Sequence, residues 1–409
     1  MKHHSQAGMK LLSMLIMVSL MMTSCALLPT SVSDTVGGES GETVTISREE
    51  YERLQKYAEL DEIKTVVDQY FYKEPDEQAM LNGAEMGLLY GLEDPYTFFY
   101  TPEQYAGMWE DDKGEYAGVG IQIMANYETG LCTISRVFLN SPALEVGIRK
   151  GDVLTTVNDL AVTAASLQDA VNIMRGKTGE TVNVSVRRGD QLLDFVVARA
   201  NVHVNWVNSC MLENDIGYIS LYEFSGDCST AFKVQMDELL KQGAKVLLID
   251  LRDNPGGWVD DAAKLADIFL PEGPVASLVY RDGSTEYYTT KNGQSDIPLV
   301  VLVNENSASA SEILAGALQD RERATIVGVK TFGKGVVQYV LPVGKRGAGM
   351  QLTVAQYYTP NGHEVHKVGI TPDILAELPE GDTTMYELGD LNDLQLKKAY
   401  EVALEKLPK

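Results

Sequence analysis

Histidine is scarce in this sequence, which has five among 409 residues. They are His3 and His4 near the N-terminus, an isolated His203, and the pair His363 and His366 in a stretch that looks like a loop. A zinc site on that last pair lacks a third ligand at a sensible spacing, and no phosphate-binding loop is apparent, so we expect neither a metal nor another cofactor. Any catalytic base in this chain then has to be something other than imidazole.

Cysteine is also rare, with four residues in all. Cys25 belongs to the N-terminal segment discussed below, which leaves Cys132, Cys210 and Cys228 as an odd set. At most one disulfide can form among these three, and a free buried thiol is the other reading.

Basic residues are outnumbered, with 34 Lys and Arg against 58 Asp and Glu, for a net charge of −24. Such a balance argues against nucleic acid or an anionic lipid surface as a partner, because like charges repel. The bland meaning is a soluble acidic surface. The length suits two or three domains, and 44% hydrophobic with 22% charged residues is ordinary globular composition.

Long apolar runs are lacking as well, and the most extended one covers residues 11–22. That run follows lysines at positions 2 and 10 and is short for a membrane span, so it predicts an export signal in residues 1–25. Met-Thr-Ser-Cys at residues 22–25 resembles a bacterial lipobox, in which the cysteine is diacylated and becomes the mature N-terminus. An ordinary signal peptide cut nearby is the alternative. Both readings place the protein outside the cytoplasm, and the first predicts a lipid anchor at Cys25 on the outer face of the membrane.

Two segments flank the parts of the chain that carry the chemistry. Residues 26–46 are rich in Ser, Thr, Gly and Glu without apolar periodicity, so they are predicted to be a linker. In the C-terminal segment 379–409, residues 383–406 have apolar residues at helical spacing. We expect this helix to pack on the core, with a dimer contact as the alternative.

Residues 47–100 are predicted to be an N-terminal helical region. Ser47 and Glu50 have the spacing of a capping box, and apolar residues recur at helical spacing beyond them. A second helix is predicted at about residues 76–90, and the Gly-Leu-Glu-Asp-Pro sequence at 91–95 is a stop signal.

Residues 201–378 alternate between strand-like and helix-like segments. Buried strands are predicted at residues 216–221, 246–251, 299–303 and 325–329, and helices at 228–242, 260–269 and 312–319. This alternation implies parallel strands with right-handed crossovers, and sites in such sheets gather at the C-terminal ends of strands. The turn at 254–257 and the serine-rich segment at 306–313 both follow a predicted strand, so we expect them to meet.

The stretch that organises the chain is Asn-Ser-Ala-Ser-Ala-Ser-Glu-Ile at residues 306–313. Small residues here join a strand to a helix, so one serine is expected at a sharp turn, facing N–H groups of the helix start. Its hydroxyl needs a base, and a lysine serves if burial or neighbouring cations keep it neutral. Lys334 suits this role because it lies between two glycines. Gln338 can direct the amine through its amide oxygen.

Three motifs together resemble one family. The sequences at residues 307–313 (Ser-Ala-Ser-Ala-Ser-Glu-Ile), 331–335 (Thr-Phe-Gly-Lys-Gly) and 250–257 (Asp-Leu-Arg-Asp-Asn-Pro-Gly-Gly) are similar to those of the carboxyl-terminal processing peptidases, tail-specific serine proteases that carry a PDZ domain. The resemblance runs from about residue 49 to about residue 374. It implies a multidomain protein of α+β and α/β class, with N-terminal helices, a PDZ domain and a crotonase- or ClpP-like α/β serine protease core. It also implies that the N-terminal helices either pack on the core or form a homodimer.

Roles of individual residues follow from the resemblance. It implies that Ser309 is the nucleophile, that Lys334 is the base and that Gln338 completes the site. It also implies an oxyanion hole made by the N–H of Ala310 and that of Gly256 or Gly257, and the sequence leaves open which glycine donates. The alternative reading of the glycines, a turn that needs positive φ, is compatible with this one. The neighbouring acidic residues are expected to hold the turn by an ion pair with an arginine rather than to act as an acid pair.

Residues 101–200 are predicted to be the PDZ domain. A glycine-bracketed turn enters a strand here, the sequence Ser-Pro-Ala-Leu-Glu-Val-Gly-Ile-Arg-Lys-Gly-Asp follows at 141–152, and a helix is predicted at 166–174. Successive N–H groups in the turn can capture a terminal carboxylate, while the strand edge accepts the peptide as an added strand. A β-bulge or a tight hairpin would explain the turn alone, but not its pairing with the second motif. The predicted peptide-binding residues are Gly118, Val119, Gly120 and Ile121.

The sequence thus predicts an exported serine endopeptidase whose PDZ domain binds protein C-terminal tails, with cleavage after small or apolar residues in unstructured tails, as the resemblance implies. One alternative is a catalytically inactive peptide sensor that uses only the PDZ domain. Another is a crotonase-like acyl-thioester enzyme, which would explain neither the export signal nor the PDZ domain. Whether the PDZ domain activates or restrains the site stays open.

Overall fold

The structure, a computed structural model, describes residues 45–126, 129–291, 293, 295–379, 384 and 386–408. The expected export signal, the lipid anchor at Cys25 and nearly all of the linker lie outside these residues and stay predictions. Within the described part of the chain, no helix is both long and apolar enough to cross a bilayer.

Two compact units divide the chain, Met1–Asp76 and Glu77–Lys409. The first contains α1 (Arg48–Gln55) and α2 (Ala58–Tyr70), two helices where the sequence pattern indicated one helical stretch. The hydroxyl of Ser47 accepts a backbone N–H three residues later at 3.1 Å, so α1 begins at the predicted cap.

The second unit begins with the second predicted helix, α3 (Glu77–Tyr90). The short strand β1 (Phe98–Tyr100), the helix α4 (Pro102–Lys113) and the strand β2 (Glu115–Gly118) follow. A capping box at Thr101 starts α4, with proline in its first turn, and a left-handed glycine ends it.

A six-stranded antiparallel sheet and two helices make up the region that is predicted to be the PDZ domain. Its elements are β3 (Ile121–Ala125), β4 (Cys132–Val137), α5 (Pro142–Val146), β5 (Val153–Val157), β6 (Leu160–Ala161), α6 (Leu167–Met174), β7 (Thr181–Arg188) and β8 (Gln191–Ala198), followed by β9 (Ala200–His203). The strand order is β3-β4-β5-β7-β8, with β6 paired to β5, so β3 lies at an edge of the sheet.

The chain enters and leaves this domain through two strands that lie side by side. Strands β2 and β9 form an antiparallel ladder in which Gly118 lies opposite Ala200. The domain has a hydrophobic core of its own, to which α5 contributes Ala143 and α6 contributes Ala170 and Met174. It is therefore a module on a two-stranded stem.

The remaining elements build the α/β core. They are β10 (Val207–Leu212), β11 (Ile216–Leu221), α7 (Cys228–Lys241), β12 (Val246–Asp250), α8 (Val259–Phe269), β13 (Gly273–Tyr280), β14 (Thr285–Thr290), β15 (Leu299–Val303), α9 (Ala310–Asp320), β16 (Ala324–Gly328), β17 (Val336–Val343), β18 (Ala348–Tyr358), β19 (Ile374–Leu375) and α10 (Leu394–Glu405). A six-stranded sheet has the order β10-β11-β12-β15-β16-β19 and is parallel from β11 to β19, as predicted.

Both faces of this sheet are covered. Ile249 and Val301 pack with side chains of α7, α8 and α9, whereas Leu248 and Val300, one residue earlier in their strands, pack with α10. Alternate residues of a strand point to opposite faces, so these strands need the continuous apolar runs that the sequence shows. The elbow between β15 and α9 lies at the C-terminal end of the sheet.

A second, antiparallel sheet has the order β1-β18-β13-β14, and β17 also pairs with β18. The helix α4 packs on it, since the ring of Tyr105 lies where a Cβ on Gly349 would be, 2.2 Å from that position. Strand β1 pairs with residues of β18 about 250 positions away, which brings the segment after the helix stop signal into the core.

One of the three tryptophans of the chain belongs to α4, and the other two contact this helix. Trp109 of α4 stacks on Trp258 with ring centroids 5.8 Å apart, and the indole N–H of Trp258 donates to Asp112 at 2.6 Å. The indole of Trp206 lies against Gly114, the residue that ends α4. The helix is thereby attached to the residue that follows Gly257.

The C-terminal helix is shorter than predicted. Described residues from 386 to 393 are not helical, and α10 starts only at Leu394. Gly389 has a φ of 77°, and the carboxylate of Asp393 caps the helix by accepting two backbone N–H groups of its first turn at 3.0 and 3.1 Å. The helix packs on the core, which confirms the first of its two predicted roles.

An ion pair holds the turn after β12, as predicted. The guanidinium of Arg252 lies 2.7 Å from Asp250 and 2.7 Å from Asp393, so it joins this turn to the cap of α10. Asp253 accepts instead from the side-chain amides of Asn304 and Asn306 at 2.9 and 2.8 Å.

Candidate active site

Ser309 is the residue before α9 and has a strained backbone, with φ 55° and ψ −114°. A non-glycine residue in such a sparsely populated region costs on the order of 1–3 kcal/mol and persists only where the surroundings hold it. The neighbouring serines are engaged elsewhere, because Ser307 donates to the carbonyl of Leu251 at 2.8 Å and Ser311 to that of Asn254 at 3.0 Å. No such bond to a carbonyl ties down the Ser309 hydroxyl in the described residues.

Glu312 joins the elbow to the loop that carries the lysine. Its Oε2 accepts the backbone N–H of both Ser309 and Lys334 at 2.9 Å, and its Oε1 accepts the N–H of Gly333 at 2.7 Å and the hydroxyl of Thr331 at 2.6 Å. Four donors around two oxygens fit an ionised, acceptor-only carboxylate. The side chain is fully buried, and burial raises its pKa while the four hydrogen bonds oppose that change. The backbones of Ser309 and Lys334 therefore meet at one buried charge.

The turn after β12 lies directly against the elbow. A Cβ on Gly256 would come within 2.7 Å of the Cβ of Ser309 and 2.9 Å of the nitrogen of Ala310, and φ of Gly256 is 106°, so only glycine fits. The side chain of Asn254 holds the turn, accepting the N–H of Gly256 at 2.9 Å and donating to the carbonyl of Leu221 at 2.8 Å. The N–H of Gly256 is thus already used within the turn.

The N–H of Gly257 has a different surrounding. A short parallel bridge to Phe224 is made by the carbonyl of Gly256 and the N–H of Trp258, the residues on either side of Gly257. The N–H of the residue between two such bonds points away from the partner strand. Ala310 is the first residue of α9, and helix geometry leaves its N–H without an intrahelical acceptor.

Lys334 is half-buried beside the elbow. Its Nζ lies 5.0 Å from the centroid of the Tyr96 ring. Burial lowers the pKa of Lys334 below its ordinary value, and the carboxylates of Asp94 and Glu312 act in the opposite direction. Gly335, the next residue, leaves no room for a Cβ, which would lie 2.1 Å from the nitrogen of His366. The glycine therefore permits the close approach of two loops.

Gln338 lies on β17 opposite Thr353 of β18. The register between these strands shifts between Val337 and Gln338, so that Val337 faces Ala355 and Gln338 faces Thr353. The amide nitrogen of Gln338 donates to the Thr353 hydroxyl at 3.2 Å. In the described residues no hydrogen bond joins the side chains of Ser309, Lys334 and Gln338 to one another, and apo sites often tighten only with substrate.

The predicted peptide-binding loop enters the edge strand of the PDZ sheet. The carbonyl of Val119 accepts from Ala143 at 2.9 Å and that of Gly120 from Phe138 at 3.0 Å. In a trans peptide the following N–H points opposite to the carbonyl, so the N–H groups of Gly120 and Ile121 point away from these bonds. Val119 itself is buried, and Gly118 is paired with Ala200 in the stem.

Sequence reasoning missed Glu312, Asp94 and Thr353. A signal existed for Glu312, because Ser309 and Glu312 have the serine-x-x-acid spacing that marks a helix start. No local signal marks the other two, since the long-range pairing of β1 with β18 brings them to the site.

The described residues contain neither a metal-binding cluster nor a disulfide among the three cysteines. No group of three or more His, Cys, Asp or Glu side chains there is placed to hold a metal ion. Cys132, Cys210 and Cys228 are free thiols, and burial raises the pKa of each. The thiols are therefore poor nucleophiles.

Family models match the two parts of this architecture. The model described as Peptidase family S41 matches residues 215–376, and that of the PDZ domain matches residues 117–198. The first range contains all of the residues predicted for the catalytic site, and the second contains the predicted peptide-binding loop.

Individual known proteins are similar over most of the chain. A carboxyl-terminal-processing protease of Picosynechococcus sp. is 38% identical over 349 residues, which are 82% of this chain and 82% of that protein. A probable CtpA-like serine protease of Staphylococcus aureus is 32% identical over 342 residues, 81% of this chain and 68% of the relative. The solved structure of the photosystem II D1 C-terminal processing protease has a TM-score of 0.55 and 29% identity, and the match covers 86% of this chain and 100% of that one. The predicted architecture is thereby confirmed, and none of these findings favours the inactive peptide sensor.

Proposed function

We propose a Ser-Lys-Gln catalytic site for this chain, which belongs to peptidase family S41 and is a carboxyl-terminal-processing serine protease with a PDZ domain. In this proposal Ser309 is the nucleophile, Lys334 is the general base, and Gln338 orients that base. The observation that carries this assignment is that Glu312 Oε2 accepts two hydrogen bonds, one from the backbone N–H of Ser309 and one from that of Lys334. It supports a site in which a strained serine and a lysine of lowered pKa come from different loops to one place.

The proposed reaction is acyl transfer in two steps. The hydroxyl of Ser309 attacks the scissile carbonyl, and neutral Lys334 accepts its proton and returns it to the leaving amine. Water then hydrolyses the acyl-enzyme by the same proton transfers in reverse. The oxyanion is stabilised by the N–H groups of Gly257 and Ala310, and Gly256 is left out because its N–H is donated to Asn254. Loss of one such donor typically costs about 3 kcal/mol of transition-state stabilisation.

The proposed substrate is the C-terminal tail of a protein, captured by the PDZ domain. The tail adds as a strand to the edge of β3, and its carboxylate meets the N–H groups of Gly120 and Ile121. This is supported by the open edge of β3 and by the direction of the neighbouring carbonyls. Cleavage follows small or apolar residues in an unstructured tail.

Substitutions at the site test the assignment. Ser309→Ala and Lys334→Ala are expected to lose all measurable cleavage of an unstructured tail peptide, and Lys334→Arg as well, because a guanidinium stays protonated. The matched control is Ser311→Ala, which removes a nearby hydroxyl that is bound to a carbonyl and should leave turnover measurable. Near-normal turnover in a pure preparation of any of the first three variants contradicts the proposal.

We also propose export with a lipid anchor at Cys25. The support is the apolar run at 11–22 and the lipobox-like sequence that ends in Cys25. With a net charge of −24, the chain has no electrostatic attraction to anionic lipid that would hold it at a membrane without an anchor. In fractionated cells, Cys25→Ala should move the protein from the membrane to the soluble fraction. Unchanged membrane association would contradict the proposed lipid anchor.

A homodimer through the N-terminal helices completes the proposal. Apolar side chains of α1 and α2 are exposed, namely Tyr51, Leu54, Leu60, Ile63, Val66 and Tyr70. A second copy would cover them. Light scattering of the purified protein should give the mass of two chains, and Ile63→Glu should give one, with Glu62→Gln as the control. If the protein without substitutions has the mass of one chain, the proposed homodimer is wrong.

A further inference from the structure

The segment after the helix stop signal forms one wall of the site. Strand β1 pairs with β18 from Phe98 to Tyr100, and the amide of Gln351 donates to the carbonyl of Tyr96 at 3.1 Å. The Tyr96 ring lies 5.0 Å from Nζ of Lys334, and the charge of Asp94 acts on the same amine. The segment is therefore a neighbour of both the lysine and the strand that faces Gln338.

Asp94 is surrounded by donors. Its carboxylate accepts the hydroxyl of Thr97 at 2.6 Å and the N–H of Tyr96 at 3.2 Å. The same Thr97 oxygen accepts the backbone N–H of Thr353 at 3.0 Å, and the Thr353 hydroxyl is one of the groups that lower the pKa of Asp94. Burial raises the pKa of Asp94, but these hydrogen bonds and His366 outweigh burial and hold it below the ordinary value. At neutral pH the group is a carboxylate, which accepts hydrogen bonds and cannot donate one.

That chemistry fixes the direction of a chain of hydrogen bonds. A carboxylate only accepts, so in this scheme the single hydroxyl proton of the neighbouring Thr353 is directed at Asp94, and the Thr353 oxygen accepts from Gln338. Gln338 then has to present its NH₂ to Thr353, at the observed 3.2 Å, and its amide oxygen is turned the other way. The two ends of an amide are otherwise nearly equivalent in shape, so without the carboxylate the side chain could take either direction.

We propose that Asp94 and Thr353 are positioning residues that set the direction of the Gln338 amide, so that its oxygen rather than its NH₂ is offered to the amine of Lys334. The inference rests on the proposed function, because it gives Gln338 its role in the Ser309 site. An amide turned the wrong way would point N–H groups at the donors of Lys334 and leave the base undirected. Neither residue touches substrate in this scheme.

Thr353→Val tests the inference, since valine has nearly the shape of threonine but no hydroxyl. With a tail peptide we expect kcat to fall at least about tenfold with KM within about threefold, because a misdirected base affects the chemical step and not binding. The matched control is Thr353→Ser, which keeps the hydroxyl and should stay within about threefold of the unaltered protein. Thermal unfolding midpoints of both variants show that the fold is intact.

A double-mutant cycle separates this role from a structural one. If Thr353 acts only through Gln338, adding Thr353→Val to Gln338→Ala changes the residual single-turnover rate by less than about twofold. Three results overturn the inference: normal kcat in Thr353→Val, equal losses in Thr353→Val and Thr353→Ser, or a further loss in the double variant. When these occur while Ser309→Ala and Lys334→Ala are inactive, only the inference fails. Activity in Ser309→Ala or Lys334→Ala overturns the proposed function itself.

Discussion

Glu312 shows how one side chain can hold a site without touching substrate. It accepts four hydrogen bonds from donors on both sides of the site, and glutamine at this position would direct N–H groups at two of those donors. A donor buried without an acceptor costs about 1–3 kcal/mol. The strained backbone of Ser309 and the lysine loop then lose their common partner.

Glu312→Gln should lower the free energy of unfolding by about 2–4 kcal/mol and kcat by at least about a hundredfold. Denaturant unfolding and peptide cleavage measure the two effects. The control is Glu322→Gln at an exposed glutamate, which should change stability by less than about 0.5 kcal/mol. A stable and active Glu312→Gln protein contradicts this account of the elbow.

The pH dependence of kcat/KM should report Lys334. The amine acts as a base only when neutral, so kcat/KM rises with pH through the pKa of Lys334, and burial places this rise below the ordinary lysine value of about 10.4. The negative charge of Asp94 stabilises the ammonium form. Asp94→Asn removes that charge, so the rise should move to lower pH.

The position of this rise, and not the height of the plateau, is the readout for Asp94→Asn. Asp282→Asn, on an exposed turn between β13 and β14, should leave it in place. An unchanged position in Asp94→Asn, or a move to higher pH, means that Asp94 does not face the base. Glu312 and Tyr96 also face Lys334, and His366 faces Asp94, so their substitution is avoided in this test.

At the residue scale the sequence pointed to Ser309 and Lys334 because each lies in a contiguous motif, and to Gln338 because it follows Lys334 by four residues. Asp94 and Thr353 could not be found in this way. They are about 260 positions apart and become neighbours only when β1 pairs with β18. Sequence reasoning also left open whether Gly256 or Gly257 is the oxyanion donor, since the bond from Gly256 to Asn254 depends on a side-chain rotamer.

Elements were predictable where one strong pattern acted alone. The strand Leu299–Val303 has the bounds predicted from the sequence, because an uninterrupted run of valine and leucine leaves no competing structure. The C-terminal helix was predicted too long, since apolar spacing continued before it while Gly389 adopts a left-handed φ. The spacing of apolar residues does not show that a glycine with positive φ precedes the helix.

The cap of α10 predicts a stability effect at this scale. Asp393→Ala removes the acceptor of two N–H groups and one partner of Arg252, so the free energy of unfolding should fall by about 1–3 kcal/mol. Asp393→Asn keeps a capping oxygen and loses only the charge, and should lose less. Denaturant melts of the two variants decide the matter, and equal losses would show that the cap contributes little.

The molecule as a whole is a protease core with a PDZ module on a stem. Because Gly118 faces Ala200 across β2 and β9, residues 119–199 can be replaced by an Asn-Gly turn without stretching the core. Cutting at residue 101 instead would remove α4, which packs on β18 and Trp258. The sequence indicated two domains, but this junction depends on a ladder between residues more than 80 positions apart.

The shortened chain should fold and should lose its preference for a free C-terminus. The intact protein is expected to cleave a tail peptide with a terminal carboxylate faster than the same peptide with a terminal amide. The variant should treat both alike, because the N–H groups of Gly120 and Ile121 are gone. Circular dichroism checks folding and competition kinetics check the preference. A preference that survives in a folded variant would move tail recognition from the PDZ domain to the core.

The tryptophans along α4 give this protein an optical reporter. Emission comes from three indoles: Trp109 belongs to the helix, Trp258 is the residue after Gly257 and stacks on Trp109, and Trp206 touches the end of the helix. Tryptophan fluorescence therefore reports on the contact between α4 and the turn that contains Gly257, and not on the rest of the chain. A stopped-flow trace of indole emission would show whether this contact changes during acylation, without any label.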